Sequence, residues 1–121
     1  MNQEEHLQEA QDLLRRAGEE STDGGNDRIA AEFMWGAFAH CLITVAQNNR
    51  LPHDSHGTFR LIAQHMDAAE GSNDWRSRFG SAERLHHHFY HGDLPAQELR
   101  THRRHTQESA QELLRTLQAG A

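Results

Sequence analysis

Arg84-Leu85-His86-His87-His88-Phe89-Tyr90-His91 is the densest run of chemically capable side chains in this 121-residue chain. On a helix, Arg84, His87, His88 and His91 stand at i, i+3, i+4 and i+7 and share one face, with Ala82, Leu85 and Phe89 on another. At a helix C-terminus the carbonyl end of the macrodipole favours the charged forms of such residues. Two chemistries are open to this face. His87 and His91 have the four-residue spacing at which two imidazoles grip one metal ion, and His40 offers a third ligand. The alternative is a phosphate site. Residues 75–105 hold six Arg and six His against Glu83, Asp93 and Glu98, a balance that tolerates an anion. The same spacing also serves a solvated face in a His-rich chain.

The rest of the composition narrows the setting. The chain has 11 His, and all 12 basic residues are Arg. The net charge of -6 is concentrated in residues 1–32, where nine acids face three Arg. A polyanion is repelled there, so the protein is no general nucleic-acid coat. The single cysteine, Cys41, excludes an internal disulfide and a thiolate-rich zinc site and reads as a small core residue. The opening MNQEEHLQEAQ is acidic and polar, unlike a signal peptide. No run approaches the roughly 20 apolar residues of a membrane helix, so a cytoplasmic protein without a membrane partner is expected. No cofactor motif is legible. A hydrophobic fraction of 36% and a mean hydropathy of -0.89 leave a short chain little apolar surface to bury, and a symmetric homodimer is expected.

Hydrophobic spacing predicts an all-α, up-and-down bundle of four to five helices in one domain spanning 1–121. Residues 1–25 form an acidic first helix and loop, and 26–118 the core bundle. The first helix covers Gln3–Ala17 with Gly18 as its stop, followed by the polar loop Glu19–Asp27. The second starts at an Asn26 or Asp27 cap and runs to about Asn48. It is apolar nearly all round and therefore central, with Gly36 and Ala37 allowing close approach. A third helix follows Asp54 or Ser55 and stops at Gly71, its stripe being Phe59, Ile62, Met66 and Ala69. A fourth is capped by Ser72-Asn73-Asp74 and runs through Trp75, Phe79, Ala82, Leu85 or His86, and Phe89 to about His91 and Gly92. Pro95 opens the fifth, whose stripe is Leu99, His102, Thr106, Ala110, Leu113 and Leu117.

Arg84 and His91, at the end of a late helix in a small bundle, resemble the Arg-x4–6-His signature of the HEPN superfamily. Three stretches resemble its PaREP-like branch in particular: Ala31-Glu32-Phe33-Met34-Trp35-Gly36-Ala37, Ser55-His56-Gly57, and Leu85-His86-His87-His88-Phe89-Tyr90 before Leu94-Pro95. The resemblance covers about residues 26–118. It implies a toxin or RNA-processing type of protein that cleaves RNA without metal at a dimer interface, with RNA or nucleotide as partner. It gives His91 the part of general base or acid, Arg84 that of phosphate clamp, and His87, His88 and Tyr90 auxiliary binding parts. Active members place a polar residue directly after the Arg, where this chain has Leu85. Many HEPN-like domains are inactive binding or dimerising partners. The His40, His87, His91 set resembles DinB-like metal bundles instead. Elsewhere His53 and His56 read as loop or capping residues, His40 as a core histidine, Trp35 and Trp75 as core anchors, and Arg100, Arg103 and Arg104 as a solvated face.

Overall fold

A computed structural model describes residues 1–22 and 24–120; Asp23, in the acidic loop, and Ala121 lie outside the described residues. Five helices follow in order: α1 (Gln3–Glu20), α2 (Asp27–Asn49), α3 (His56–Glu70), α4 (Asp74–His91) and α5 (Ala96–Ala119). No strand occurs among the described residues. The chain is an all-α bundle, as the 3.6-residue period predicts.

α2 is the hub and packs against all four other helices. Its Phe38, Cys41 and Leu42 are fully buried, with Met34, Trp35 and Val45 close behind. By length and composition α2 is apolar enough to cross a membrane, which corrects the expectation that no segment qualifies. Two-thirds of its most apolar window is covered by the protein's own helices. Its apolarity is that of a core helix surrounded on several sides. α1 lies antiparallel on α2. At Gly36 an added Cβ would stand 3.0 Å from Leu13 Cδ1, so the missing side chain sets how closely the two helices meet.

Most helix ends follow the local chemistry. The Asn26 side chain accepts from the N–H groups of Arg28 and Ile29 at 3.0 and 3.1 Å, and Ser55 precedes α3. Gly71 and Gly92 end α3 and α4 at φ 69° and 61°, the left-handed region where glycine carries no Cβ penalty. Two ends depart from expectation. α1 runs through Gly18 to Glu20, and the Ser21 hydroxyl donates to the Ala17 carbonyl at 2.6 Å to close it. α4 takes its N-terminal cap from outside its own segment. The buried carboxylate of Asp67, in the last turn of α3, accepts from the N–H groups of Trp75 (2.7 Å) and Arg76 (3.1 Å) and from the Arg76 guanidinium (2.9 Å). Burial works against its charge, but those donors and the Ser72 hydroxyl outweigh it and hold the carboxyl below its usual range.

The far end of α4 is tied to α2. Arg28 Nε and Nη2 donate to the Phe89 carbonyl at 3.2 and 2.7 Å, where a helix end has unpaired acceptors. α4 is thus fixed at its start by α3 and at its end by α2. The residues between those anchors are held in register against both helices.

Candidate functional site: two carboxylate-backed histidines on a tryptophan

Three helices meet around the indole of Trp35. Glu32 and Trp35 lie one turn apart on α2. His56 opens α3, and Glu83 and His86 lie one turn apart on α4. His86 Nδ1 is 3.0 Å from both carboxylate oxygens of Glu32. His56 Nε2 is 3.0 Å from Glu83 Oε2, whose other oxygen receives Arg60 Nη2 at 3.4 Å. Both imidazoles stack on the buried indole, each with its centroid 4.9 Å away and its plane tilted by 18° (His56) or 25° (His86). Their own centroids are 5.3 Å apart. Phe59 and Phe79 close the indole's remaining sides.

Each ring is held by two unlike forces. Stacking on the indole contributes roughly 0.5–1.5 kcal/mol and fixes the plane, and the carboxylate fixes rotation within that plane. The hydrogen bonds use one nitrogen of each ring. His86 Nε2 and His56 Nδ1 take no part in those bonds, the arrangement in which a carboxylate behind an imidazole fixes its tautomer and ring orientation.

The rings form one wall of a groove of about 360 Å3 lined by His56, Glu83, Arg84, His86, His87, Tyr90 and His91. Arg84 is exposed, its one carboxylate neighbour among the described residues being Glu98 at 3.8 Å. The His87 and His91 rings lie 4.2 Å apart at a 30° tilt, and His87 Nδ1 lies 3.4 Å from Asp93. Tyr90 is 63% exposed, and its ring meets His86 edge-on at 5.3 Å. Four of the five expected site residues, Arg84, His87, Tyr90 and His91, therefore share one groove.

His88 does not join them. It is buried, and its Nδ1 accepts the Leu94 N–H at 3.0 Å, pinning the turn between α4 and α5. The shared face predicted for 84, 87, 88 and 91 is narrower than the spacing suggests, because the turn between α4 and α5 closes on His88. The His40, His87, His91 set is not assembled either. His40 faces α1, where its Nδ1 lies 2.8 Å from that of His6. Among the described residues no group of three or more His, Cys, Asp or Glu converges as a metal site. Of the α5 arginines, Arg100 and Arg104 are exposed, but Arg103 folds inward onto Asp27 at 3.1 Å. Cys41 is buried, and burial pushes its thiol up to about 12.

The chain matches the Archaeal PaREP1/PaREP8 family over residues 5–110. It belongs to that family. The PaREP1/PaREP8 match begins inside α1 and ends inside α5, so it takes in most of the acidic first helix as well as the core from residue 26 to 110. No curated protein and no solved structure matches the chain. In this PaREP1/PaREP8 protein, Glu32, His56 and His86 are what the spacing argument passed over. His56 reads as a helix-start residue and His86 as an alternative to Leu85 in the apolar stripe. The available signal was indirect. Each of the Ala31–Ala37, Ser55–Gly57 and Leu85–Tyr90 stretches contributes a member to the cluster.

Proposed function

We propose that the groove along α4 binds RNA and cleaves its backbone without a metal ion, and that the PaREP1/PaREP8 family is a branch of the HEPN superfamily. One observation carries this reading: Arg84, His87 and His91 line the same groove as two imidazoles backed by carboxylates. A guanidinium can hold a phosphate and stabilise the charge that builds on it in the transition state. An imidazole can take the ribose 2′-OH proton near neutral pH. Attack of that oxygen on phosphorus gives a 2′,3′-cyclic phosphate and a free 5′-OH. Arg84 is the phosphate clamp, and an imidazole of the groove does the acid–base work; the HEPN resemblance points first to His91. The acting species is a homodimer in the cytoplasm, with α4 of two copies meeting across a two-fold axis so that two grooves lie side by side.

The test is incubation of purified protein with a single-stranded RNA oligonucleotide in EDTA, with analysis of the product ends. Cleavage leaving cyclic phosphate is expected, and sedimentation at tens of micromolar should report a dimer. A 3′-hydroxyl product, or activity abolished by EDTA, overturns the chemistry.

A second reading, a dimeric module that binds RNA or nucleotide without cleaving it, draws on Leu85. Its side chain is fully buried, so the position after Arg84 presents no polar group to the groove. Binding with no cleavage in the same assay decides for it.

A further inference from the structure

We propose that acid–base work in this groove is done by His86 and His56, the two carboxylate-backed imidazoles on Trp35, and not by the exposed His91. This rests on the RNA-cleavage reading above and adds to it the atoms that move the protons. Among the described residues His91 makes no ion pair or hydrogen bond to a carboxylate, and its neighbour is another imidazole, that of His87. A ring without an orienting partner has neither tautomer nor direction fixed. His86 and His56 have both. Glu32 engages His86 Nδ1 and Glu83 engages His56 Nε2, so the working nitrogens are His86 Nε2 and His56 Nδ1. The two rings stand side by side in one groove with centroids 5.3 Å apart, so both are within reach of a single bound phosphodiester.

The step balances with these groups alone. One imidazole takes the 2′-OH proton as the 2′-oxygen forms its bond to phosphorus. The P–O5′ bond breaks, and the other imidazole, protonated, gives its proton to the departing 5′-oxygen. Arg84, on the groove wall, offsets the charge on the non-bridging oxygens. Glu32 and Glu83 keep their places and act as positioning residues.

The experiment uses full-length protein and a labelled single-stranded RNA oligonucleotide, plus the same oligonucleotide with sulfur replacing the bridging 5′-oxygen at the cleaved bond. A thiolate leaves without a proton, so the sulfur substrate needs no general acid. His86→Gln and His56→Gln should each lose about 100-fold or more on the normal substrate. The sulfur substrate should restore one of the two, which identifies the acid. Should either variant fail to fold by circular dichroism, Glu32→Gln and Glu83→Gln serve, each expected to cost roughly tenfold with an unchanged melting temperature. Cleavage by wild type with His86 and His56 variants within threefold of it, or with neither rescued by sulfur, overturns this assignment and leaves the RNA reading standing. Wild-type protein inert on RNA overturns both.

Discussion

Two pairs of histidines in this bundle solve opposite problems. His56 and His86 face carboxylates, lie on an indole and stay partly open to the groove. His6 and His40 face each other, with Nδ1 atoms 2.8 Å apart across the α1–α2 seam. In the first pair each ring is oriented by the carboxylate behind it, Glu83 for His56 and Glu32 for His86. The second cannot carry two charges, because a shared hydrogen bond between imidazoles needs one lone pair and one N–H. His6 is held low by burial, then by His40, the N-terminal amine and His53; His40 is held low by burial, against a pull upward from Glu9. What separates a histidine able to do chemistry from one that staples helices is therefore the group behind the ring.

The largest expected effect tests which pair matters to the reaction. Arg84→Ala should reduce RNA cleavage on the order of 100-fold, the scale for losing one group that stabilises transition-state charge. Its melting temperature should stay close to wild type, because the side chain is exposed and its ion pair with Glu98 is long. His6→Gln should leave the rate within about twofold. Equal losses in the two variants, measured side by side, would erase the distinction drawn here.

A second variant breaks one region and spares the other. Asp67→Ala removes the acceptor for two N–H groups at the start of α4 and should cost about 2 kcal/mol in urea unfolding, the upper range for losing a helix cap. Fraying should spread from α4 into the His86 and Glu83 region. The His6–His40 pair, on α1 and α2, should keep its imidazole NMR signals. Simultaneous loss of both pairs well below the unfolding midpoint would show the two regions to be one cooperative unit.

The pH dependence has a definite sign. Both His6 and His40 are pushed below the ordinary value of 6.5. The unfolded chain therefore binds more protons than the folded one as pH drops through and below 6.5. By linkage, stability is at its full value above 6.5 and falls as pH decreases below it, by at most about 1.4 kcal/mol per pH unit for each site. His40→Gln should flatten that slope between about pH 6.5 and 5. A slope unchanged by the substitution would mean that other groups set the acid sensitivity.

How much of this was legible beforehand follows from the range of each interaction. Helix period and caps are local, so the bundle, the central α2 and the Asn26, Gly71 and Gly92 boundaries could be read from neighbouring residues. The Gly18 stop failed because a glycine inside a helix costs only about 1 kcal/mol and α1 has packing on α2 to offset it. The Asp67 cap reaches across eight residues and two helices. The Glu32–His86 and His56–Glu83 pairs span 54 and 27 residues. With 11 histidines available, periodicity assigns a face to each ring but not the partner it meets. His88 shows the same gap: its spacing matched the groove residues, and only the fold of the α4–α5 turn sends it inward.

The smallest effect separates charge from shape at the Trp35 cluster. Arg60 shares Glu83 with His56, and its guanidinium lies 5.9 Å from the centre of the Phe79 ring. It is mostly exposed and its contact with Glu83 is long, so solvent screens it and Arg60→Ala should change stability by less than about 0.5 kcal/mol. If the indole sets the plane of His56 and Glu83 its rotation, removing Arg60 leaves both in place, because neither force passes through the guanidinium. The His56 ring-proton NMR signals should then keep the upfield shift expected over the face of Trp35, and cleavage should stay within about threefold of wild type. Were the ion pair what holds Glu83 in reach, His56 would lose its carboxylate, its ring would turn, and the upfield shift would collapse with the rate. That outcome would make the cluster a charge network with Trp35 as a bystander, and the contrast with His6 and His40 would then rest on surface electrostatics and not on packing.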